Sequence, residues 1–343
     1  MLKNLFAVCV IGASAVAMAP MFVGSDASAC IHPPVEVAYP LLPGTQLGLV
    51  FFDNGREEMV IRPSYKLDLP ETGPNKPKDD AHGKLTTLAW VIPVPAVPDS
   101  YKEADEAMFG KLRDFTAVVR DIDTNSAPDA KERKNLDDER HGVELLEAVA
   151  VGDYKIQPIK AKGELGGLEL KAWMKDNGFG EIKDETLKYY LDKDYCWLAV
   201  KLHNAKGLPA DGNVKPLQIG FATDTPCYPL KINASANSFD LELWLITRKE
   251  VDLDKSAKFG LKTPEQDVAA VHQSNRRTMF EELPEVVRKS AQDVDGLKAL
   301  KTGELNCYRF FGNGMNKTTD LAKLESDLKF EFKAEAKEPA KDK

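Results

Sequence analysis

The sequence predicts an α+β fold, rich in β structure, with mixed but mainly antiparallel sheets and several helices packed on them. Three observations carry this. Short β-branched and aromatic runs, such as Leu85 to Ile92, Cys196 to His203 and Phe239 to Ile246, recur between turn residues. Asn54-Gly55 and Gly152-Asp153 sit between such runs and accept the positive φ of tight hairpin turns. Helical spacings end or begin at cap signals, namely Asn177-Gly178 and Thr263-Pro264-Glu265-Gln266. With 343 residues, 43% apolar and 29% charged, the chain has ordinary globular composition for one large domain or two intimate ones. A net charge of -8 without any basic stretch argues against nucleic acid, whose phosphates demand concentrated positive charge.

Lys3, the apolar run from Leu5 to about Val23 and the small residues Ala27-Ser28-Ala29 form the pattern of a cleaved secretory signal over residues 1–29. The mature chain is then expected to start at Cys30 and to be periplasmic or extracellular. Acylation of that cysteine is the weaker expectation, because Asp26 occupies a place where lipoprotein signals want an apolar residue. No later run reaches the roughly 18 apolar residues of a membrane helix.

Leu47 to Phe52 and Glu57 to Asp68 flank Asp53-Asn54-Gly55 as a hairpin, and Pro70 to Gly83 reads as an exposed loop. The run Leu85 to Ile92 then meets Pro93, Pro95 and Pro98, which lack amide donors, so the strand should lie at a sheet edge. Asp99 and Ser100 offer N-cap oxygens to a helix expected to follow directly, through Tyr101, Ala104, Met108, Leu112 and Phe115. Residues 121–142 read as a charged linker that separates two potential subdomains, 30–120 and 143–332, of one domain. Val143 to Val151 and Tyr154 to Ala161 form a second hairpin.

Leu165, Leu168, Ala172 and Trp173 mark the apolar face of a helix that stops at Asn177-Gly178, and Leu187, Tyr190 and Leu191 mark another. Cys196 to His203, Pro216 to Phe221, Cys227 to Ile232 and Phe239 to Ile246 are expected as strands, the later ones in an antiparallel sheet. Leu241, Leu243 and Leu245 alternate with Glu242 and Trp244, which predicts one face buried more than the other. A helix from Thr263 should reach Leu283, and another should run from Glu285 towards Leu300. Strands return at Leu305 to Phe311 and Leu328 to Phe332, before a charged tail at 333–343 with the composition of disorder.

Once the signal leaves, Cys30, Cys196, Cys227 and Cys307 remain, an even number suited to two disulfides in an oxidising compartment. Three pairings are open; buried thiols at Cys196 and Cys227 are the alternative. Asp121, Asp123, Asn125, Asp129 and Glu132 fall on oxygen-ligand positions of a calcium-loop template. Against calcium, Ser126 replaces the glycine that lets the loop turn and Pro128 takes an apolar position, so a solvated acidic linker is preferred and no cofactor is expected. His32, His82, His141, His203 and His272 show no zinc-helix spacing, and neither a Gly-x-Ser-x-Gly elbow nor a phosphate-cradling glycine loop occurs. Ser326-x-x-Lys329 and Lys301-Thr302-Gly303 occur in the reverse of the penicillin-binding order and carry no weight. Trp90 with Pro93, Pro95 and Pro98 is the candidate rim of a groove for a peptide, a glycan or an envelope protein, although most strand tryptophans are core residues.

Ala29-Cys30, Ala89 to Pro95 with Pro98, Val151 to Tyr154, Trp173 to Phe179, Ala199 to Leu202, and Lys215-Pro216-Leu217 with Tyr228-Pro229-Leu230 together make the chain resemble a bacterial family, domain of unknown function 2330. The resemblance spans nearly all of the mature chain. It implies an exported envelope protein and brings no catalytic residues. Many members also resemble anchored proteins with an apolar C-terminal segment, a pattern from which the charged tail here departs. The expectation is therefore a non-catalytic binding or structural protein of the envelope, with an exported hydrolase as the alternative. A continuous exposed apolar face favours the first, and a cleft joining nucleophile, base and acid favours the second.

Overall fold

The computed structural model describes residues 41–67, 85–117, 142–208, 211–256, 259–263 and 275–334. The expected signal over residues 1–29, Cys30, the expected linker with its five calcium-template residues, and most of the tail lie outside them. In chain order the first strands are β1 (Leu41–Pro43), β2 (Gln46–Asp53), β3 (Arg56–Arg62), β4 (Ser64–Leu67), β5 (Leu85–Val94), β6 (Ser100–Glu103), β7 (Gly142–Leu145), β8 (Val149–Val151) and β9 (Tyr154–Lys162). They continue with β10 (Cys196–Leu208), β11 (Asp211–Asn213), β12 (Leu217–Ala222), β13 (Cys227–Tyr228), β14 (Phe239–Thr247), β15 (Arg276–Met279), β16 (Glu304–Met315) and β17 (Leu328–Lys329). The α-helices are α1 (Met108–Phe115), α2 (Gly163–Asp176), α3 (Asp184–Leu191), α4 (Leu253–Ser256) and α5 (Glu285–Ala291).

Two sheets stack face to face, and each carries helices on its outer side. One has seven strands in the order β15-β16-β14-β2-β3-β12-β6; the other has five, in the order β5-β10-β9-β7 with β8 also on β9. Strand alternation explains the layers. Val50, Phe52, Met59, Leu243, Leu245 and Phe310 point from the larger sheet into a shared core that Trp90, Ile92, Leu198 and Val200 enter from the smaller one. The opposite faces bury Leu49, Phe51, Trp244 and Ile246 under α1 and α5, and Val91, Ile159, Trp197 and Ala199 under α2 and α3. The result is the predicted α+β class in four layers. Strands from segments 30–120 and 143–332 interleave in both sheets. Among the described residues no helix is long and apolar enough to cross a membrane.

Local signals worked where one residue type solves a backbone problem. Asn54 and Gly55 adopt φ of 47° and 76° and close the β2–β3 hairpin. β5 is an edge strand, and Pro93 pairs with Trp197 on its single neighbour. Elsewhere long-range partners overruled the sequence expectation. Asp99 and Ser100 cap nothing: Arg56 donates to both, at 2.6 and 3.1 Å, Ser100–Glu103 pairs with β12 as an edge strand, and the helix waits until Met108. Instead of an all-antiparallel C-terminal sheet, β14 runs parallel to β2 and sits centrally, so both its faces are buried and Trp244 is as enclosed as Leu243. The strand expected over Cys227 to Ile232 ends at Tyr228, before the donorless Pro229, and a 3-10 turn at Lys231–Ser235 follows. Within the helix expected from Thr263 to Leu283, residues 264–274 lie outside the described residues, and Arg276–Met279 is instead β15, which pairs with β16. The next one divides into α5 and a 3-10 turn at Asp295–Lys301, with Val294 extended between them.

Cys196, Cys227 and Cys307 are buried free thiols. Every way of pairing four cysteines into two disulfides joins two of these three, so the two-disulfide expectation is overturned. The thiols act as small apolar residues, Cys196 and Cys227 between the sheets and Cys307 under the helices of the outer layer.

Candidate functional site

Trp90 does not rim an open groove in the way the sequence suggests. That side chain is 3% exposed, turned inward with Leu88 and Ile92 by strand alternation, and meets Tyr154 edge to face at 5.7 Å. Pro93 and Pro98 are buried as well, and Pro95 is half-buried. His203 is exposed and contacts Thr87, while the other four histidines lie outside the described residues. Among the described residues no group of three or more metal-ligating side chains converges.

Two other features hold the chemistry. The first is a sealed cluster where β3, β13, β17 and α3 meet. Glu57 is wholly buried; its Oε2 accepts the Cys227 amide at 2.9 Å and its Oε1 has no partner. Burial holds the Glu57 carboxyl well above the usual carboxylate range, and burial beside Glu57 likewise pushes up the Cys227 thiol. Asp327, 1% exposed, accepts Tyr190 Oη at 2.8 Å and the Lys231 amide at 2.9 Å. Burial raises its carboxyl to about 6. Tyr190 is itself held well above the ordinary phenol value by burial and by Asp327. At neutral pH Glu57 thus stays a neutral acid and Cys227 a protonated thiol behind packed aromatics, while Asp327, at about 6, is the member of the cluster that ionises. A nucleophile would need the reverse, an accessible thiolate.

The second feature is the outer side of α2. Gly166, Gly167, Leu170 and Met174 face the sheet and α3. A Cβ on Gly166 would stand 3.3 Å from the Ala161 and Gly142 backbone, and one on Gly167 would stand 2.7 Å from Leu191 Cδ1. The helix therefore approaches through its glycines and turns its leucines away. Leu165 and Leu168 are each 62% exposed, and Ala172 continues their stripe one turn further on. This inverts the expected apolar face. The Gly166-Gly167 pair was the available signal, because adjacent glycines inside a helix cost stability unless close packing requires them. Beyond Ala172 the stripe reaches a shallow crevice lined by Lys171, Lys175, Phe179 and Glu181. Trp173 stacks on Phe179 at 5.8 Å, and Lys201 Nζ lies 5.2 Å from the centre of the same ring.

The family described as "Uncharacterized protein conserved in bacteria (DUF2330)" matches residues 78–280, more than half of the sequence. The chain belongs to DUF2330. The matched span of this DUF2330 protein contains the whole of α2 and its crevice, whereas the sealed cluster takes Glu57 and Asp327 from outside that span. No curated protein matches. Among solved structures, baculovirus P35 is similar over 85% of this chain and 92% of its own, at 12% identity and a TM-score of 0.33. P35 in the caspase-8/P35 complex is similar over 68% and 73%, at 11% identity and the same TM-score of 0.33. At that level the likeness carries no argument about this DUF2330 chain.

Proposed function

We propose that this protein is exported and serves as a non-catalytic recognition module of the bacterial envelope, taking an apolar segment of a protein partner on the outer side of α2. The observation that carries the reading is the pair Leu165 and Leu168, one turn apart and both 62% exposed on a helix whose other side is packed. Fully burying one such side chain in an interface is worth roughly 1.5–3 kcal/mol, so a partner that covers the pair gains binding free energy from both. An aliphatic stripe suits the apolar side of a helix or strand better than a sugar. The leader over residues 1–29 supports export. The hydrolase alternative has less support, since the buried acid and thiol that could serve it are sealed and protonated.

The test places a photo-crosslinking residue at Ala172 in the full chain expressed in its own cells, with one at the exposed Lys111 of α1 as control. A discrete protein adduct from Ala172 alone, lost when Leu165→Glu and Leu168→Glu are added, is the expected outcome. Equal adducts from both positions, or none from Ala172, would contradict the proposal.

A further inference from the structure

Residues 320–332 form a strap that closes the space between the sheets near α3. Its 3-10 turn at Leu321–Lys323 and strand β17 are anchored at both ends: the Leu321 amide donates to Asn316 Oδ1 at 3.3 Å, β17 pairs at Cys227 with Lys329 and at Tyr228 with Leu328, and beyond it Phe332 bridges Val251 while the Asp252 amide donates to the Glu331 carbonyl at 2.8 Å. Lys231 Nζ donates to the carbonyls of Leu324 at 2.7 Å and Ala322 at 3.2 Å, and the Phe330 amide donates to Pro226. Phe330 enters the core against Phe310 at 5.3 Å. In the middle of the strap stands Asp327. Its Oδ1 takes both hydrogen bonds that reach the carboxyl, while Oδ2 is shielded from solvent without a partner. Its amide donates to Tyr189 Oη at 2.9 Å.

We propose that this strap is a proton-controlled latch, closed while Asp327 is neutral and loosened once its carboxyl ionises. A carboxylate needs both oxygens solvated or bonded, and here one is buried bare; with a proton on Oδ2 the group is neutral and its burial costs far less. The surroundings do not supply a counter-charge by direct contact. From α3 come the Tyr189 and Tyr190 phenols, with Lys193 over the Tyr189 ring, and after α3 comes Tyr195. Cys227 faces it from β13, with Glu57 of β3 on the amide of that cysteine, and Lys231 from the 3-10 turn and Lys329 from β17 lie near it. Lys231 spends its ammonium on the strap carbonyls. Glu57, Cys227 and the tyrosines are all pushed upward by burial and keep their protons, which leaves Asp327, at about 6, as the member of that set whose charge changes under mildly acidic conditions.

Amide hydrogen exchange of the full mature chain, measured at pH 4 and pH 7 and divided by the intrinsic rates, reads the latch. Protection of residues 320–332 should fall on the order of 100-fold between those values, at ten-fold per unit of displaced titration. Protection in β14 and β16 at the centre of the larger sheet should stay unchanged. Asp327→Asn keeps an acceptor for Tyr190 and cannot ionise, so its strap should show no such fall. Tyr190→Phe, which removes one donor to the carboxylate, should move the midpoint to higher pH. A parent strap with equal protection at both values, a fall spread evenly over the molecule, or the same fall retained in Asp327→Asn would each overturn the latch.

Discussion

The two outer helical layers cover their sheets by opposite means. Over the larger sheet, α1 points Met108, Phe109 and Leu112 inward, all fully buried, and Phe109 lies on Trp244 at 5.7 Å. Polar ties then fasten its end: Trp244 Nε1 donates to Thr116 at 3.1 Å, and Arg113 and Arg309 both grip the buried Glu242, through their Nε atoms at 2.7 and 2.8 Å. Arg276 donates to the Phe115 carbonyl at 2.6 Å and lies 4.0 Å from the centre of its ring. Over the smaller sheet, α2 seats itself on glycines and holds its leucines out. The first layer spends its apolar residues on the fold, and the second withholds two of them. Exposed leucine beside buried glycine is thus a property of how α2 is oriented, and it separates a face packed on the sheet from a face left in solvent.

The comparison breaks most visibly at Trp244. Trp244→Ala should cost about 3–5 kcal/mol in urea unfolding, because it opens a cavity under α1. On the other side, Gly166→Val forces branched atoms against the Ala161 and Gly142 backbone and should cost about 1–3 kcal/mol despite the better helix former. If α2 simply rolled to accept valine, that loss would vanish and the glycine account of its orientation would fail.

The pH dependence of stability sharpens the role of the sealed cluster. Asp327 rises from 3.8 to about 6 on folding. The folded chain therefore binds the extra proton between those values, so the contribution is fully present below 3.8, falls as pH rises, and is gone above 6. The difference amounts to about 3 kcal/mol at 1.36 kcal/mol per unit. Unfolding in urea at pH 4 and pH 7, compared between the parent and Asp327→Asn, isolates that share; an identical pH dependence in both would remove Asp327 from the account.

How much of this was legible depended on the range of the interaction. The β2–β3 hairpin was readable because Asn54 and Gly55 alone meet the turn's positive φ, and the edge position of β5 because proline cannot donate. That α2 exists and stops before Gly178, at φ of 73°, was equally local. Its orientation was not, since Leu165 and Leu168 satisfy helical spacing as well as Leu170 and Met174 do, and the contact between Gly167 and Leu191 of α3 decides between them. The parallel pairing of β14 with β2 joins residues nearly two hundred positions apart and leaves no mark on either strand. The sealed cluster was equally hidden, because Tyr190 and Asp327 lie 137 residues apart and neither has an unusual neighbour in sequence. Arg56, by drawing Asp99 and Ser100 into its own contacts, turned a capping signal into a strand.

The central claim is that the outward leucines of α2 contribute to binding and not to folding. Urea unfolding of Leu165→Glu with Leu168→Glu, set beside Met108→Glu with Leu112→Glu on α1, tests it most directly. The α2 pair should stay within about 0.5 kcal/mol of the parent per substitution, as exposed sites do, while the α1 pair buries two charges and prevents folding. A loss of several kcal/mol from the α2 pair would make those leucines structural and contradict the account.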